Sequence, residues 1–252
     1  SYANYNNVRI GERAAGMGGA FTAMTGDSAA LSFYNPGGLA RLKSRTVSGS
    51  VAVYNKYDTK VGEIEDPTAA PLRVNRGYFR PKPSASGAVQ NHAPFWTAFS
   101  VVTPDFDYYN GEVKSNSNTI SNLNLVDESL WVGGSVAIQF LENHHLGFST
   151  YYTAQNYSRS ISDRNTVGAN TTVTIEDKNL TNNNLVVIGG YQYTFTPLWT
   201  FGISVRLPSV ELYGTGNYSR SVTNTAAGRT ETTNERERFS ESRIPPKIGV
   251  GI

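Results

Sequence analysis

The stretch that decides the fold is Leu130–Leu141, LWVGGSVAIQFL, in which residue type alternates with a period of two. One set of alternate positions is apolar or glycine: Leu130, Val132, Gly134, Val136, Ile138 and Phe140. The other set is mostly small or polar. Because successive side chains of a β-strand point to opposite faces, this pattern predicts a strand with one apolar face and one small or polar face.

The same alternation recurs along the chain and predicts an all-β protein with about eight strand starts. It is clear in Trp199–Pro208 and weaker in Leu146–Tyr157. Val74–Pro83 is a poor strand by pattern, but an up-and-down order requires a strand there. The other predicted strands are Thr46–Asn55, Phe95–Thr103, Leu185–Phe195 and Lys247–Ile252.

The predicted connections differ in length in a regular way. Glu142–His145 and Thr196–Leu198 are expected to be tight turns. Long polar loops are expected at roughly Tyr57–Leu72, Asp105–Asp127, Ser160–Asn183 and Thr215–Ser242. Short turns at one end and long polar loops at the other are typical of transmembrane β-barrels. A soluble β-sandwich also has alternating strands and is the alternative architecture.

Strand length and aromatic placement favour the barrel over the sandwich. The predicted strands run about ten residues, which a tilted membrane strand needs. Aromatic residues cluster at predicted strand ends, as interfacial girdles require. These residues are Tyr54, Tyr57, Trp96, Tyr108, Tyr109, Trp131, Phe140, Tyr157, Phe195, Trp199 and Tyr213.

Composition argues against several classes of function. The chain of 252 residues has a net charge of +2, which gives no reason to expect a nucleic-acid partner. It has no cysteine, so thiolate metal sites are excluded. His144 and His145 are adjacent and should point apart on extended backbone, so no metal site is expected. GMGG at Gly16–Gly19 lacks the spacing of a phosphate loop. No catalytic residue and no cofactor are expected, and the chain is predicted not to be an enzyme.

The first forty residues differ from the rest because they are rich in Ala and Gly and show no strand alternation. A short helix is predicted around Asp27–Phe33, with Asp27 or Ser28 as its N-cap and Pro36 after its end. Gly37–Gly38 should then form a turn. A compact segment of small residues can pack inside a barrel lumen.

Gly11–Leu42, GERAAGMGGAFTAMTGDSAALSFYNPGGLARL, resembles the start of the FadL/TodX outer-membrane transporters and of the related PorV-type barrels. Asn35–Pro36 and Leu39–Ala40 match an Asn-Pro-Ala-Gly-Leu-like motif of that family, with Gly37 in place of the usual Ala. The resemblance implies a transmembrane antiparallel barrel of about fourteen strands with a small N-terminal hatch in its lumen.

Residues 1–43 would then be the hatch and residues 44–252 the first part of a barrel that continues beyond this chain. A closed eight-stranded barrel is the alternative, but side chains would fill its lumen and leave no room for a hatch. The resemblance also implies the bacterial outer membrane as location, with lipid as a partner. No signal peptide is recognisable in the chain, so an exported form would already have lost it.

The function that the resemblance implies is uptake of hydrophobic small molecules, of the fatty acid or hydrocarbon class, with lateral release into the membrane. The expected apolar pocket floor consists of Phe21, Met24, Leu31, Phe33 and Leu39. The expected hatch motif is Asn35, Pro36, Gly37 and Gly38. A kink at Thr103–Pro104 could open the wall sideways, although an ordinary strand end at Pro104 is the simpler interpretation.

Two other functions stay open from the sequence. The barrel could be a partner subunit of a secretion or other envelope complex, with its long loops binding protein. The chain could instead be a soluble β-sandwich adhesin.

Overall fold

The computed structural model describes residues 21–49, 54–57, 78–81, 84–92, 94–116, 118–237 and 243–252. These residues form two short helices and one antiparallel sheet, so the predicted all-β class is confirmed. Helix α1 covers Ser28–Tyr34, and a 3₁₀ helix covers Pro36–Arg41. The strands are β1 Thr46–Gly49, β2 Tyr54–Tyr57, β3 Tyr78–Pro81, β4 Ser84–His92, β5 Phe95–Asn116, β6 Thr119–Leu141, β7 His144–Val167, β8 Asn170–Thr196, β9 Trp199–Arg206, β10 Val210–Asn224, β11 Arg229–Glu237 and β12 Lys247–Gly251.

From β4 to β9 the sheet follows the order of the chain. The path β1-β4-β5-β6-β7-β8 is antiparallel throughout, and β8 then pairs with β9 along one half and with β10 along the other. β9 continues to β12, and β10 continues to β11. β3 pairs with β2 and with the far half of β5. The sequential antiparallel pairing from β4 to β9 agrees with the up-and-down order that the sequence analysis assumed.

An N-cap residue marks the start of both helix α1 and the 3₁₀ helix. The Asp27 side chain accepts a hydrogen bond from the Ala30 main-chain N–H at 3.2 Å, which makes Asp27 the N-cap of α1. Asn35 ends α1 and caps the 3₁₀ helix, whose first residue is Pro36. The predicted helix is therefore confirmed, and the expected turn at Gly37–Gly38 is part of the 3₁₀ helix.

The two faces of the sheet differ as the alternation in Leu130–Leu141 predicted. Trp131, Ser135 and Ala137 of β6 are buried on the face that contacts α1 and the 3₁₀ helix, here called the inward face. Leu130 and Val136 are exposed on the opposite, outward face. Exposed apolar side chains continue across the neighbouring strands at Phe95, Phe99, Leu146, Phe148, Tyr152, Val205, Ile248 and Val250.

Three of the four expected long loops are largely strand. Most of 105–127, 160–183 and 215–237 extends the hairpins β5–β6, β7–β8 and β10–β11. Gly168 and Gly228, with φ of +61° and +58°, allow the tight turns that close two of these hairpins. The loop prediction was wrong: these segments are rich in polar residues, so the alternation is weak, although the backbone still pairs. The fourth expected loop lies largely outside the described residues.

Two further predictions need correction on the inward face. Trp96 and Trp131 were expected in an interfacial girdle, but both are buried on the inward face. The Trp96 indole N–H donates to the Leu42 carbonyl at 3.0 Å, so a polar partner holds it inside. Residues Ser84–His92 were not predicted as a strand, yet β4 alternates small inward residues, such as Ala85 and Val89, with exposed polar ones.

The strand at Phe95–Thr103 does not end at Pro104. β5 continues to Asn116, and its register with β6 shifts between Val102 and Asp105. Thr103–Pro104 therefore forms a bulge, because proline cannot donate a ladder hydrogen bond. Among the described residues, no helix is long and apolar enough to cross a membrane.

Candidate functional site

The site is the contact between residues 21–42, here called the N-terminal segment, and the inward face of the sheet. Its centre is aromatic. The ring of Phe33 lies 5.4 Å from Trp131 and 6.5 Å from Tyr151, measured between centroids, and the Trp131 and Tyr151 rings are 5.9 Å apart. The buried Tyr151 hydroxyl lies 2.8 Å from the hydroxyl of Ser100 on β5. The segment thus packs as part of the core.

Asn35 ties the N-terminal segment to two strands. Its fully buried side-chain amide donates to the carbonyls of Thr22, Tyr191 and Ile203 at 2.7, 3.0 and 3.3 Å. Its side-chain oxygen accepts from the Gly37 N–H at 3.1 Å. An amide offers both donor and acceptor, so one residue caps the 3₁₀ helix and binds β8 and β9.

Glycines on the strands allow this close approach. A Cβ added at Gly147 of β7 would overlap the Pro36 carbonyl, and one added at Gly190 of β8 would overlap the Asn35 side-chain oxygen. Gly37 is equally confined, since its Cβ would lie 3.0 Å from the Gly190 carbonyl oxygen. The main chain of the predicted hatch motif therefore lies directly on the sheet backbone.

Gln192 of β8 joins three points of the N-terminal segment. Its amide donates to the carbonyls of Thr22 at 2.9 Å and Met24 at 3.2 Å, and its oxygen accepts from Arg41 at 3.0 Å. Burial lowers the pKa of the Arg41 guanidinium, but a guanidinium stays charged at neutral pH. This charged donor strengthens the bond to Gln192.

His145 lies beside this contact, at the start of β7. It is buried and faces inward, whereas His144 faces outward, where its Nδ1 lies 2.7 Å from the Tyr191 hydroxyl. The two histidines point apart as expected, and the described residues contain no cluster of potential metal ligands.

The five predicted pocket residues lie in or beside the packed core. Phe21, Leu31 and Leu39 are fully buried in the packed core, and Met24 is packed against it. Phe33 borders a cavity of about 100 Å³, together with Thr22, Tyr34, Ile188, Ser204, Arg206, Lys247 and Gly249. A ligand-binding role for the five residues remains a prediction.

The sequence analysis did not identify Gln192 and Arg206, two polar residues on strands beside the N-terminal segment. Gln192 and Arg206 stand on the small or polar side of alternating strands, which was the available signal. Their partners could not be found from the pattern, because Thr22 and Gln192 are 170 residues apart. The part of the predicted hatch before Phe21, including Gly16–Gly19, lies outside the described residues.

In comparisons with known proteins, no family model, curated protein or solved structure matches the chain.

Proposed function

We propose that this chain is part of a bacterial outer-membrane β-barrel that takes up hydrophobic small molecules, with the N-terminal segment as a hatch in the lumen. The observation that carries the proposal is the band of exposed apolar side chains on the outward face. A soluble protein rarely exposes a continuous apolar surface of this kind. Hydrocarbon is the surrounding that would stabilise it.

The height of the band agrees with the thickness of the apolar layer of a membrane. On β6 it runs from Leu130 to Phe140, about ten residue steps of ~3.3 Å each. A strand tilted by about 40° converts that length to a height of ~25 Å, the usual apolar height of outer-membrane barrels. The outward positions in between are apolar or glycine.

Both borders of the band also fit this interpretation. Above it, outward residues are polar and linked across strands: Asn156 donates to Glu128 at 3.3 Å, and Thr181 donates to Asn156 at 3.3 Å. Below it, beside the short turns, the His144 and Tyr193 rings lie 4.5 Å apart and the Tyr193 and Phe195 rings 4.4 Å apart. Amphipathic rings favour the boundary between headgroups and acyl chains.

The bulge in β5 supports lateral release as the exit route. β4 pairs with β5 up to Thr103, and β3 pairs with β5 again only at Tyr108. The register of β5 with β6 shifts in between, at Val102–Asp105, and Pro104 cannot donate to a strand ladder. Weakened pairing at this point would give a ligand a route through the wall toward the lipid, next to the upper end of the apolar band.

The test is to purify the full-length protein in mild detergent and to identify bound molecules by mass spectrometry. We expect apolar small molecules to co-purify, and deletion of the gene to reduce uptake of hydrophobic substrates by cells. A protein that is fully soluble without detergent would contradict the membrane assignment. A membrane protein with no bound apolar molecule and no uptake defect would contradict transport alone.

A second function is favoured by the height of the strands. β8 has 27 residues and is ~90 Å long, so much of it rises beyond the apolar band. Such a wall could serve as the docking surface of a partner subunit in a secretion or other envelope complex. Co-purification of one protein in fixed stoichiometry, without bound apolar molecules, would favour this function over transport.

A further inference from the structure

The linker between the 3₁₀ helix and β1 presents two cations at one end of the sheet. Lys43 and Arg45 are both exposed. Thr46, the next residue, is opposite Val89 of β4, and β4 ends shortly afterwards at His92. Because β1 and β4 are antiparallel, the linker lies at the end of the sheet that carries the short turns, here called the short-turn end.

The short-turn end accounts for the whole net charge of the chain. Its described stretches contain three basic residues, Arg41, Lys43 and Arg45, and one acidic residue, Glu142. Subtracting these from the 22 basic and 20 acidic residues of the chain leaves 19 of each. Arg41 is half-buried and bound to Gln192, so Lys43 and Arg45 are the exposed cations of these stretches. The stretches are 41–46, 91–92, 94–95, 140–146 and 193–199.

The linker leads directly onto the apolar outward face. Ser48 of β1 faces inward, where its hydroxyl lies 2.7 Å from that of Ser28, and the preceding Val47 is 85% exposed on the outward face. The rings of Tyr193 and Phe195 border the apolar band at the same end of the sheet. Such rings favour the level of lipid headgroups, and long basic side chains reach that level from the edge of the hydrocarbon.

We propose that Lys43 and Arg45 bind the headgroups of anionic phospholipids in the leaflet at the short-turn end. This inference rests on the proposed membrane location and names the class of lipid that meets the linker. A Lys or Arg near an anionic bilayer surface strengthens binding about fivefold per charge. A guanidinium can also bind two phosphate oxygens at once. The linker sequence, RLKSRT at 41–46, contains no acidic residue that would compete for the cations.

Contacts on both sides of the linker fix its position relative to the bilayer. Before Lys43, the Leu42 carbonyl accepts a hydrogen bond from the Trp96 indole N–H at 3.0 Å. After Arg45, Thr46 begins the ladder between β1 and β4. A lipid bound between these points would hold the base of the N-terminal segment at the headgroup level.

A fluorescent label beside the linker reports which lipids contact it. This chain has no cysteine, so Val47→Cys provides a single labelling position in it. The full-length protein is reconstituted into phosphatidylcholine vesicles that contain a minor fraction of phosphatidylglycerol. Bromine atoms, which quench the label on contact, are placed on the acyl chains of one lipid or of the other. We expect phosphatidylglycerol to quench severalfold more than its share of the bilayer, and added salt to reduce this enrichment.

Charge variants show whether the two cations cause the enrichment. The double variant Lys43→Gln, Arg45→Gln should return quenching to the share of phosphatidylglycerol in the bilayer. The double variant Arg220→Gln, Arg229→Gln is the matched control, because it removes the same charge from the β10–β11 hairpin, and it should retain the enrichment. A label at Leu130→Cys, 44% exposed at the other border of the apolar band, should show no enrichment.

The outcomes separate this inference from the proposed membrane location. A label at position 47 that neither lipid quenches would show that the outward face does not meet acyl chains, and would overturn both. Quenching by each lipid in proportion to its share would overturn the binding of anionic headgroups alone. Enrichment that persists in the Lys43→Gln, Arg45→Gln variant would do the same. If that variant does not insert, the lipid preference of the wild-type linker and its salt dependence still decide.

Discussion

The side-chain amide of Asn35 donates a hydrogen bond of 3.0 Å to the main-chain carbonyl of Tyr191, 156 residues further along the chain. The same amide reaches Ile203 on the next strand. One fully buried side chain therefore fixes the N-terminal segment to two adjacent strands. Both strand partners are main-chain carbonyls, so the contact depends on where the strands lie and not on their side chains.

Replacing Asn35 with Ala should detach the N-terminal segment or weaken it strongly. The change leaves buried carbonyls without their donor and removes the cap of the 3₁₀ helix, at a cost of about 2–4 kcal/mol. Urea unfolding in detergent would measure the loss. Asn179→Ala is the control, since Asn179 accepts a hydrogen bond from Ser158 in an exposed pair. Equal stability of the two variants would refute a central role for Asn35.

Gly190→Ala should disrupt docking, because the new methyl group would overlap Asn35 and Pro36. We expect a loss of at least about 2 kcal/mol from overpacking, with faster proteolysis of the N-terminal segment. Gly189→Ala is a closely matched control, since nothing lies within 4 Å of a Cβ added there. A comparable cleavage rate in both variants would show that the segment does not need this close approach.

The sequence predicts best where the two faces of a strand have different surroundings. In β6, Leu130–Leu141 could be assigned because one face is apolar and exposed and the other is small and packed on the N-terminal segment. In β8, the half containing Asn179, Asn182 and Asn183 gave no pattern, because its residues are polar on both faces. Backbone pairing needs no alternation, so these strands were predicted as loops.

The site was predictable only in part. The motif around Asn35–Pro36 was found, and its cap role follows from local sequence. Its strand partners Tyr191 and Ile203 follow only from the strand register. The same holds for Arg206 and Lys247, which become neighbours through the pairing of β9 with β12. Local patterns do not encode such distant pairs.

Val136→Arg tests whether the outward face meets hydrocarbon. Val136 is 51% exposed near the middle of the apolar band, where a charge in a bilayer costs about 2–4 kcal/mol. We expect impaired folding into lipid vesicles. Asn179→Arg, exposed above the band, should fold normally. If Val136→Arg folds into vesicles as well as the control does, the band does not contact lipid.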